Sequence, residues 1–392
     1  MRSFSSPSFP QHRWPVVAYW LFFAHLATVW SISASNVLLG LTIAVLPWAL
    51  RWAPFDDWPE VAPLAKALGL YVLFLLASIV ASVDWRVSAG ALRELFNLAP
   101  VPLAILLVRN EKGVRRLLDL LVVVAALLAC AGLAQYLVGY GDLDRRIRGP
   151  FSHYMTFSGF LLVADLLLIA SLLAGGRAKS IWRWGALALI NVALLGSLTR
   201  GAWVGLGVTL TVLAALKAPR WLLAWIPAAA LFIILAPTPI LHRAASIFDL
   251  RDFSAYDRLC MVDAGLRMIA ERPVFGLGPD MVERRYQLYR NPTAPRYSIP
   301  HLHNTPLQLA AERGLPALAA YLALLGCALW RAWRIYRTES RWADIALGVL
   351  LAILAFTVAG LFEDNWGDTE VRRPLLFLLA VPFCLTVAQR KR

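Results

Sequence analysis

Charge is scarce in this chain. Only 16% of its 392 residues are Asp, Glu, Lys or Arg, against about 25% in an average soluble protein. Apolar residues reach 59%, and mean hydropathy is +0.63. A water-soluble globe could not hide that much hydrocarbon, so the natural solvent is lipid. Cysteine is scarce too. Cys130, Cys260, Cys327 and Cys384 lie far apart, with no CxxC and no Cys/His cluster, which argues against a disulfide framework or a cysteine metal site. No internal repeat, low-complexity tract or appended soluble domain is visible. Lysine occurs only at 66, 112, 179, 217 and 391, so nearly all of the net charge of +14 is carried by arginine.

What is present is a series of apolar runs bounded by charge, glycine or proline. A helix needs roughly 17–25 such residues to cross a bilayer. The runs are Val16–Ser33, Val37–Trp52, Leu64–Val83, Ala91–Val108, Leu117–Val138, Tyr154–Ala174, Trp184–Leu198, Ala202–Leu216, Trp221–Ala236, Leu315–Trp330, Ala343–Phe362 and Pro374–Ala388. They predict an all-α polytopic membrane protein of about twelve spans. Several runs are short, so the count is open by two. Residues 1–236 hold the first nine spans, 237–314 form one large outer loop with short amphipathic helices, and 315–392 hold the last three. Arg2 and Arg13 before the first run read as a retained signal-anchor. Basic loops face the cytoplasm. With an even count, this places both termini inside, along with Arg109–Arg116, Arg331–Arg341 and every lysine.

Three outer features break that rule. Arg145, Arg146 and Arg148 sit within four residues, beside Asp142 and Asp144. Arg200 lies in the tight turn from Gly196 to Ala202, between two spans. The long loop carries nine arginines from Arg243 to Arg296. Long loops translocate whatever their charge, but short ones need a reason. Arginine suits forked contact with phosphate and does not lose its charge, so outer arginines that converge would suit a lipid-linked diphosphate. The competing reading is contact with headgroups or with acids of the fold. Asp142-Leu-Asp144 is formally a DxD metal motif, yet the three arginines beside it would repel a divalent cation.

The loop has structure of its own. Ser254-Ala-Tyr-Asp257 reads as a capping box that opens a helix with Leu259, Val262, Leu266 and Ile269 on one stripe, ending at Pro273. Arg258, Asp263, Arg267 and Glu271 lie on the other face. Gly276-Leu-Gly278-Pro279 is a turn. Pro306 suits the first position of a second helix, capped by Asn304 or Thr305 and broken by Gly314 and Pro316. His303 then precedes a helix N-terminus, where the dipole favours a neutral imidazole, the form a general base needs. His301 and His303 make a poor metal pair, because side chains at i and i+2 share a direction only on a strand. The last outer loop, Glu363 to Glu370, is acidic. Asp165 and His25 are ionisable groups within apolar runs, functional by default, with no partner evident.

With these residues in hand, the chain resembles the O-antigen ligase family of bacterial inner membranes, part of a larger group with O-antigen polymerases and protein O-oligosaccharyltransferases. Four features carry the resemblance over about residues 140–330. They are Arg146-x-Arg148-Gly-x-Phe151-x-His153, Ser197-x-Thr199-Arg200-Gly201, the helix with Arg258 followed by Gly276-Leu-Gly278, and His303-Asn304-x-x-Leu307 with Glu312-x-Gly314. The resemblance implies a metal-independent, inverting glycosyltransferase of the Gram-negative inner membrane that uses no cofactor and works on the periplasmic face. It implies transfer of O-antigen from undecaprenyl diphosphate to a hydroxyl of lipid A–core oligosaccharide. Membrane lipids are the other expected partners, and no nucleic acid is. His303 matches the family's essential histidine, as general base. Arg200 and Arg258 match its two essential arginines, on the donor diphosphate, with Arg145, Arg146 and Arg148 as further candidates. His301, Asn304, Glu312 and Asp364 are supporting positions, and no metal ligand is expected. The alternatives are O-antigen polymerase, protein O-oligosaccharyltransferase and, from another class, a membrane transporter.

Overall fold

A computed structural model describes residues 13–139, 146–174, 180–225, 236–246 and 252–390, with 227, 231, 234 and 249. All regular structure among the described residues is helical. In chain order the helices are α1 (Arg13–Ala27), α2 (Ile32–Trp52), α3 (Trp58–Val80), the short α4 (Trp85–Ser88), α5 (Arg93–Asn97) and α6 (Pro100–Leu107), then α7 (Glu111–Leu137), α8 (Tyr154–Leu173), α9 (Ile181–Gly196) and α10 (Arg200–Lys217). They continue with α11 (Thr238–Ala245), α12 (Phe253–Glu271), α13 (Met281–Tyr289), α14 (Thr305–Thr338), α15 (Ala343–Ala359) and α16 (Thr369–Arg390).

Eight segments among the described residues are long and apolar enough to cross a membrane: Ile32–Trp52, Trp58–Val80, Trp85–Leu107, Glu111–Leu137, Tyr154–Leu173, Thr305–Thr338, Ser340–Ala359 and Thr369–Gln389. The chain is a polytopic membrane protein. Of the other four expected spans, three form α1, α9 and α10. The first two have only 15 and 16 residues, and α10 opens on Arg200 and ends on Lys217. The fourth, 221–236, is described only in part, with Pro219–Ala224 as a short 3-10 turn. The 85–107 segment is assembled from α4, a 3-10 turn at Ala89–Leu92, α5 and α6, and α5 gives way to α6 where Pro100 and Pro102 have no N–H to donate to a continuous helix.

The centre of the bundle is α8 and α16, whose spanning stretches are 89% and 94% buried, whereas that of α2 is 22% buried and its side chains face outward to the lipid belt. The two ends of the bundle differ. At one, Arg115 on α7 donates to Asp344 on α15 (2.6 Å) and to Glu111 (2.9 Å), and Lys217 lies over the Tyr336 ring. At the other, the starts of α8, α10 and α16 and the end of α15 meet α12, α13 and the loop before α14.

That second end is tied down by a kink. Gly314 takes φ 84°, ψ 167° within α14, breaking its hydrogen-bond ladder. The freed carbonyls of Ala311 and Glu312 accept N–H bonds from Leu277 and Gly278 (both 2.9 Å), and Leu315 N–H goes to Pro273 O (2.8 Å). Only glycine allows so close an approach. A Cβ on Gly276 would stand 2.3 Å from the Glu312 carbonyl carbon, and one on Gly314 would stand 2.0 Å from Val274 O. The glycine turn and the helix break read separately in the sequence are thus two halves of one joint.

Helix α12 corrects the sequence reading twice. Its cap is Asp252, whose carboxylate accepts from Ala255 N–H (3.2 Å), rather than a Ser254–Asp257 box. Its packed face is Cys260, Met261, Ala264, Gly265 and Met268, set against Leu277, Met281, Tyr286 and Leu302. Leu259 and Leu266 of the expected stripe are about half exposed, at 50% and 56%. Small residues let α12 approach its neighbours closely, so close packing decided the face.

Candidate functional site

The site is built where α14 begins. Asn304 caps the helix by accepting from Leu307 N–H (2.9 Å), and its amide donates to Leu361 O (3.0 Å). Thr305 N–H donates to Gly360 O (2.7 Å), and its hydroxyl reaches Glu363 O (3.1 Å) and Asp364 Oδ1 (3.2 Å). These bonds staple the first turn of α14 to the acidic loop after α15. His303 sits at φ 49°, a left-handed conformation rare outside glycine but tolerated by histidine. That backbone turn overturns the geometric objection to the i, i+2 pair. The His301 and His303 rings converge, with centroids 4.3 Å apart.

Both rings meet one carboxylate. Glu363 Oε2 lies 2.8 Å from His303 Nδ1, and Oε1 lies 3.4 Å from His301 Nε2. Asp364 N–H also donates to Oε1 (3.1 Å). The network assigns the tautomers. His303 N–H donates to His301 Nδ1 (3.3 Å), so that ring carries its proton on Nε2, the nitrogen that faces Glu363 at 3.4 Å. An ionised Glu363 accepts from Nδ1 of His303, which leaves Nε2 of that ring as its basic nitrogen. Burial would raise the Glu363 pKa, but the bond from His303 and the charges of His303, His301 and Arg258 hold it below the usual carboxylate range. Burial lowers His301, against the pull of Glu363. The ligand atoms of His301, His303 and Glu363 all lie within 4.8 Å of one another, so these three could also hold a metal ion.

The arginines approach from α10 and α12. The guanidinium of Arg200, 8% exposed, donates to Asp252 Oδ2 (2.9 Å), Ser246 O (2.8 Å) and Ser246 Oγ (3.0 Å). Asp252 therefore caps α12 and fixes Arg200 at once. Gly201 brings the start of α10 against the acidic loop, since a Cβ there would stand 2.8 Å from Phe362 Cβ. Arg258 lines the same narrow crevice as Glu363, Thr199 and Gly201. It is half-buried and makes no hydrogen bond or ion pair with the described residues. Burial and Arg200 oppose its charge, and Glu363 favours it. Arg243, whose Nε donates to Leu198 O (3.3 Å), is destabilised as a cation by burial, then by Arg200 and Arg146. Arg146 lies over the Tyr154 ring, 4.5 Å from its centroid. Arg146, Arg200, Arg243 and Arg258 thus form a cationic patch beside the histidine pair, with Asp252 paired to Arg200.

The remaining expected positions divide. Arg148 donates to Phe151 O (3.3 Å) and Ser152 O (3.2 Å), so it braces its own turn. Arg145, Asp142 and Asp144 lie outside the described residues. Glu312, 5% exposed, accepts from Val282 N–H (3.4 Å). With Asp364 and His301 it lines a polar cavity of about 620 Å³, separate from the crevice that Arg258 and Glu363 line. Asp364 turns toward that cavity and Thr305, while its neighbour Glu363 takes the histidines. Glu363 and Arg243 were not singled out from the sequence. The acidic loop offers several carboxylates with no spacing to rank them, and Arg243 is one of nine arginines in its loop. Asp165 and His25 have partners after all, Asn191 (2.8 Å) and Ser35 (2.9 Å).

Residues 184–322, about a third of the chain, match the family model described as O-antigen ligase. The match takes in Arg200, Arg258, His303 and Glu312, and ends before Glu363. No curated protein matches the chain.

Proposed function

We propose that this chain, a member of the O-antigen ligase family through residues 184–322, transfers a glycan from undecaprenyl diphosphate to a hydroxyl of lipid A–core oligosaccharide. The reaction takes place on the periplasmic face of a bacterial inner membrane. One observation carries the reading. A histidine held by a carboxylate stands beside half-buried Arg258, which has no acidic partner at ion-pair distance among the described residues, and buried Arg200, which pairs with Asp252, at one end of a membrane bundle.

The chemistry follows from those groups. A sugar hydroxyl is a weak nucleophile, so a base must take its proton as attack proceeds. His303 accepts that proton on Nε2, and Glu363 orients the ring through Nδ1 and stabilises the imidazolium that forms. The acceptor oxygen bonds to the anomeric carbon while the bond to the diphosphate oxygen breaks. The electron pair leaves with undecaprenyl diphosphate. A single displacement of this kind inverts the anomeric centre. Arg258 and Arg200 stabilise the departing charge, more strongly in a dry crevice than in water, with Arg243 and Arg146 enlarging the field. His301 supports the carboxylate, while Asn304 and Thr305 hold the loop.

The test is reconstitution with lipid-linked donor. The protein should transfer to lipid A–core, and His303→Ala should lower turnover by roughly 10²–10⁴-fold with donor binding retained. Full activity in His303→Ala removes that residue from the chemistry. Chain growth on donor alone would instead assign the protein as a polymerase. Loss of activity to a chelator, restored by Mg²⁺ or Mn²⁺, would replace the arginine mechanism with one at the His301, His303 and Glu363 cluster.

A further inference from the structure

The 620 Å³ cavity beside His301 differs in charge from the separate crevice that Arg258 and Glu363 line. Three arginines line it, and two of them are engaged by one carboxylate. Arg313 donates to Glu94 Oε1 (2.5 Å) and to the Tyr71 hydroxyl (2.9 Å), and Arg372 lies 3.5 Å from Glu94 Oε2. Arg93, largely exposed, pairs with Asp280 at 3.7 Å. One carboxylate, Glu94, thus answers two arginines. Glu283, Glu312, Asp364 and Asp368 face the same space without an arginine partner within 4 Å. Of the helix N-termini that reach the cavity, those at Met281, Thr369 and Arg93 carry acids beside or within their first turns, and that of α2 at Ile32 carries none. Burial, with the charges of Glu363, Asp364 and Glu370, pushes Asp368 up to about 8, even though Thr156 donates to it.

We propose that this cavity holds an uncharged, hydroxyl-rich sugar of the acceptor, and that it rejects sugars bearing phosphate or carboxylate. The proposal rests on the ligase reading for the word acceptor, though the binding claim stands apart from turnover. Carboxylates and amides accept from sugar hydroxyls, as Asp280, Glu283, Asp364 and Gln308 are placed to do. An anionic sugar would have to enter a space lined by six acidic side chains and three arginines, two of which Glu94 already engages. The site is divided by charge: diphosphate belongs on the arginine side, hydroxyls on the carboxylate side, and His303 stands between them.

The test is saturation-transfer NMR on the full chain in nanodiscs, with maltotriose and trigalacturonate as neutral and anionic probes of similar size. Maltotriose should bind about tenfold more tightly or better. Glu283→Arg should narrow that preference and Arg93→Glu should widen it. Both positions are exposed, so both variants keep the fold. Equal or tighter binding of trigalacturonate, absence of maltotriose binding, or a preference unmoved by both variants would overturn the proposal. The donor-transfer assay is read separately. Neutral-sugar preference without transfer rejects the ligase reading alone, and transfer without the preference rejects this inference alone.

Discussion

Glu363 is the residue that meets both imidazoles. Its Oε2 accepts from His303 Nδ1, and its Oε1, which takes the Asp364 N–H, lies 3.4 Å from His301 Nε2, so Glu363→Gln is a severe change that keeps the shape. The amide offers one acceptor and one donor, so either His303 or the Asp364 N–H must lose its acceptor. The expected result is a fall in kcat of roughly 10²–10⁴-fold with KM little changed. Steady-state kinetics with varied acceptor decide it, and a variant altered in KM alone would make Glu363 a binding group. Asp368 supplies a second test, through pH. Its folded pKa is raised from 3.8 to about 8. Between those values the folded protein keeps a proton that the unfolded chain has released. Stability from this group is therefore full below 3.8 and is lost as pH rises through 8. Asp368→Asn mimics the protonated form and keeps an acceptor for Thr156. Its melting temperature should exceed the parent's by more at pH 9 than at pH 5, by about 1 kcal/mol or more in stability. A gap independent of pH would mean that Asp368 is ionised in the folded protein.

At the scale of elements, the joint between the 273–278 turn and the kinked α14 fixes how α12 is presented to α14, and so places Arg258 beside His303. Gly314→Ala and Gly276→Ala should each destabilise by about 2 kcal/mol or more, from left-handed strain plus collision with backbone. Gly326→Ala, in the same helix with open space around it, should be neutral or gain up to about 1 kcal/mol. Thermal melting of the three variants distinguishes a joint from a generic loop, since equal melting temperatures would leave the kink without a structural role. Much of this was legible in sequence: the helix starting at Asn304–Pro306, the break at Gly314 and the glycine turn. Their mutual locking was not, because hydrogen bonds between residues 277 and 311 leave no local pattern. The packed face of α12 was misread for a related reason. Ala264 and Gly265 carry little hydrophobic signal, yet close approach selects them over Leu259 and Leu266. His303 and Arg200 stood out because each sits where a polar group needs a reason, whereas Arg258, one of nine arginines in a long loop, was picked out only by the family resemblance. Glu363 did not, because it is one acid among several in its loop.

At the scale of the whole molecule, the two ends of the bundle carry different chemistry, and the proposed function fixes which end faces out. The end opposite the site gathers Arg115, Lys217 and Arg341 at the starts and ends of α7, α10 and α15, and Gln389 near the C-terminus donates to Glu339 there (3.1 Å). Excess lysine and arginine in short loops stays on the cytoplasmic side. The histidine pair, at the far end, would then meet the periplasm, where polyprenyl-linked glycans await transfer. Tyr297 is 71% exposed at the site end, and Ser340 is exposed at the other. Tyr297→Cys should be labelled by a membrane-impermeant maleimide in cells whose outer membrane alone is opened. Ser340→Cys should be labelled only after the inner membrane is broken, with the parent, whose exposed Cys130 lies within a span, as baseline. The reverse pattern would place His303 in the cytoplasm. It would separate the arginine crevice from any outer-leaflet donor and defeat the transfer mechanism, whatever the geometry of the site.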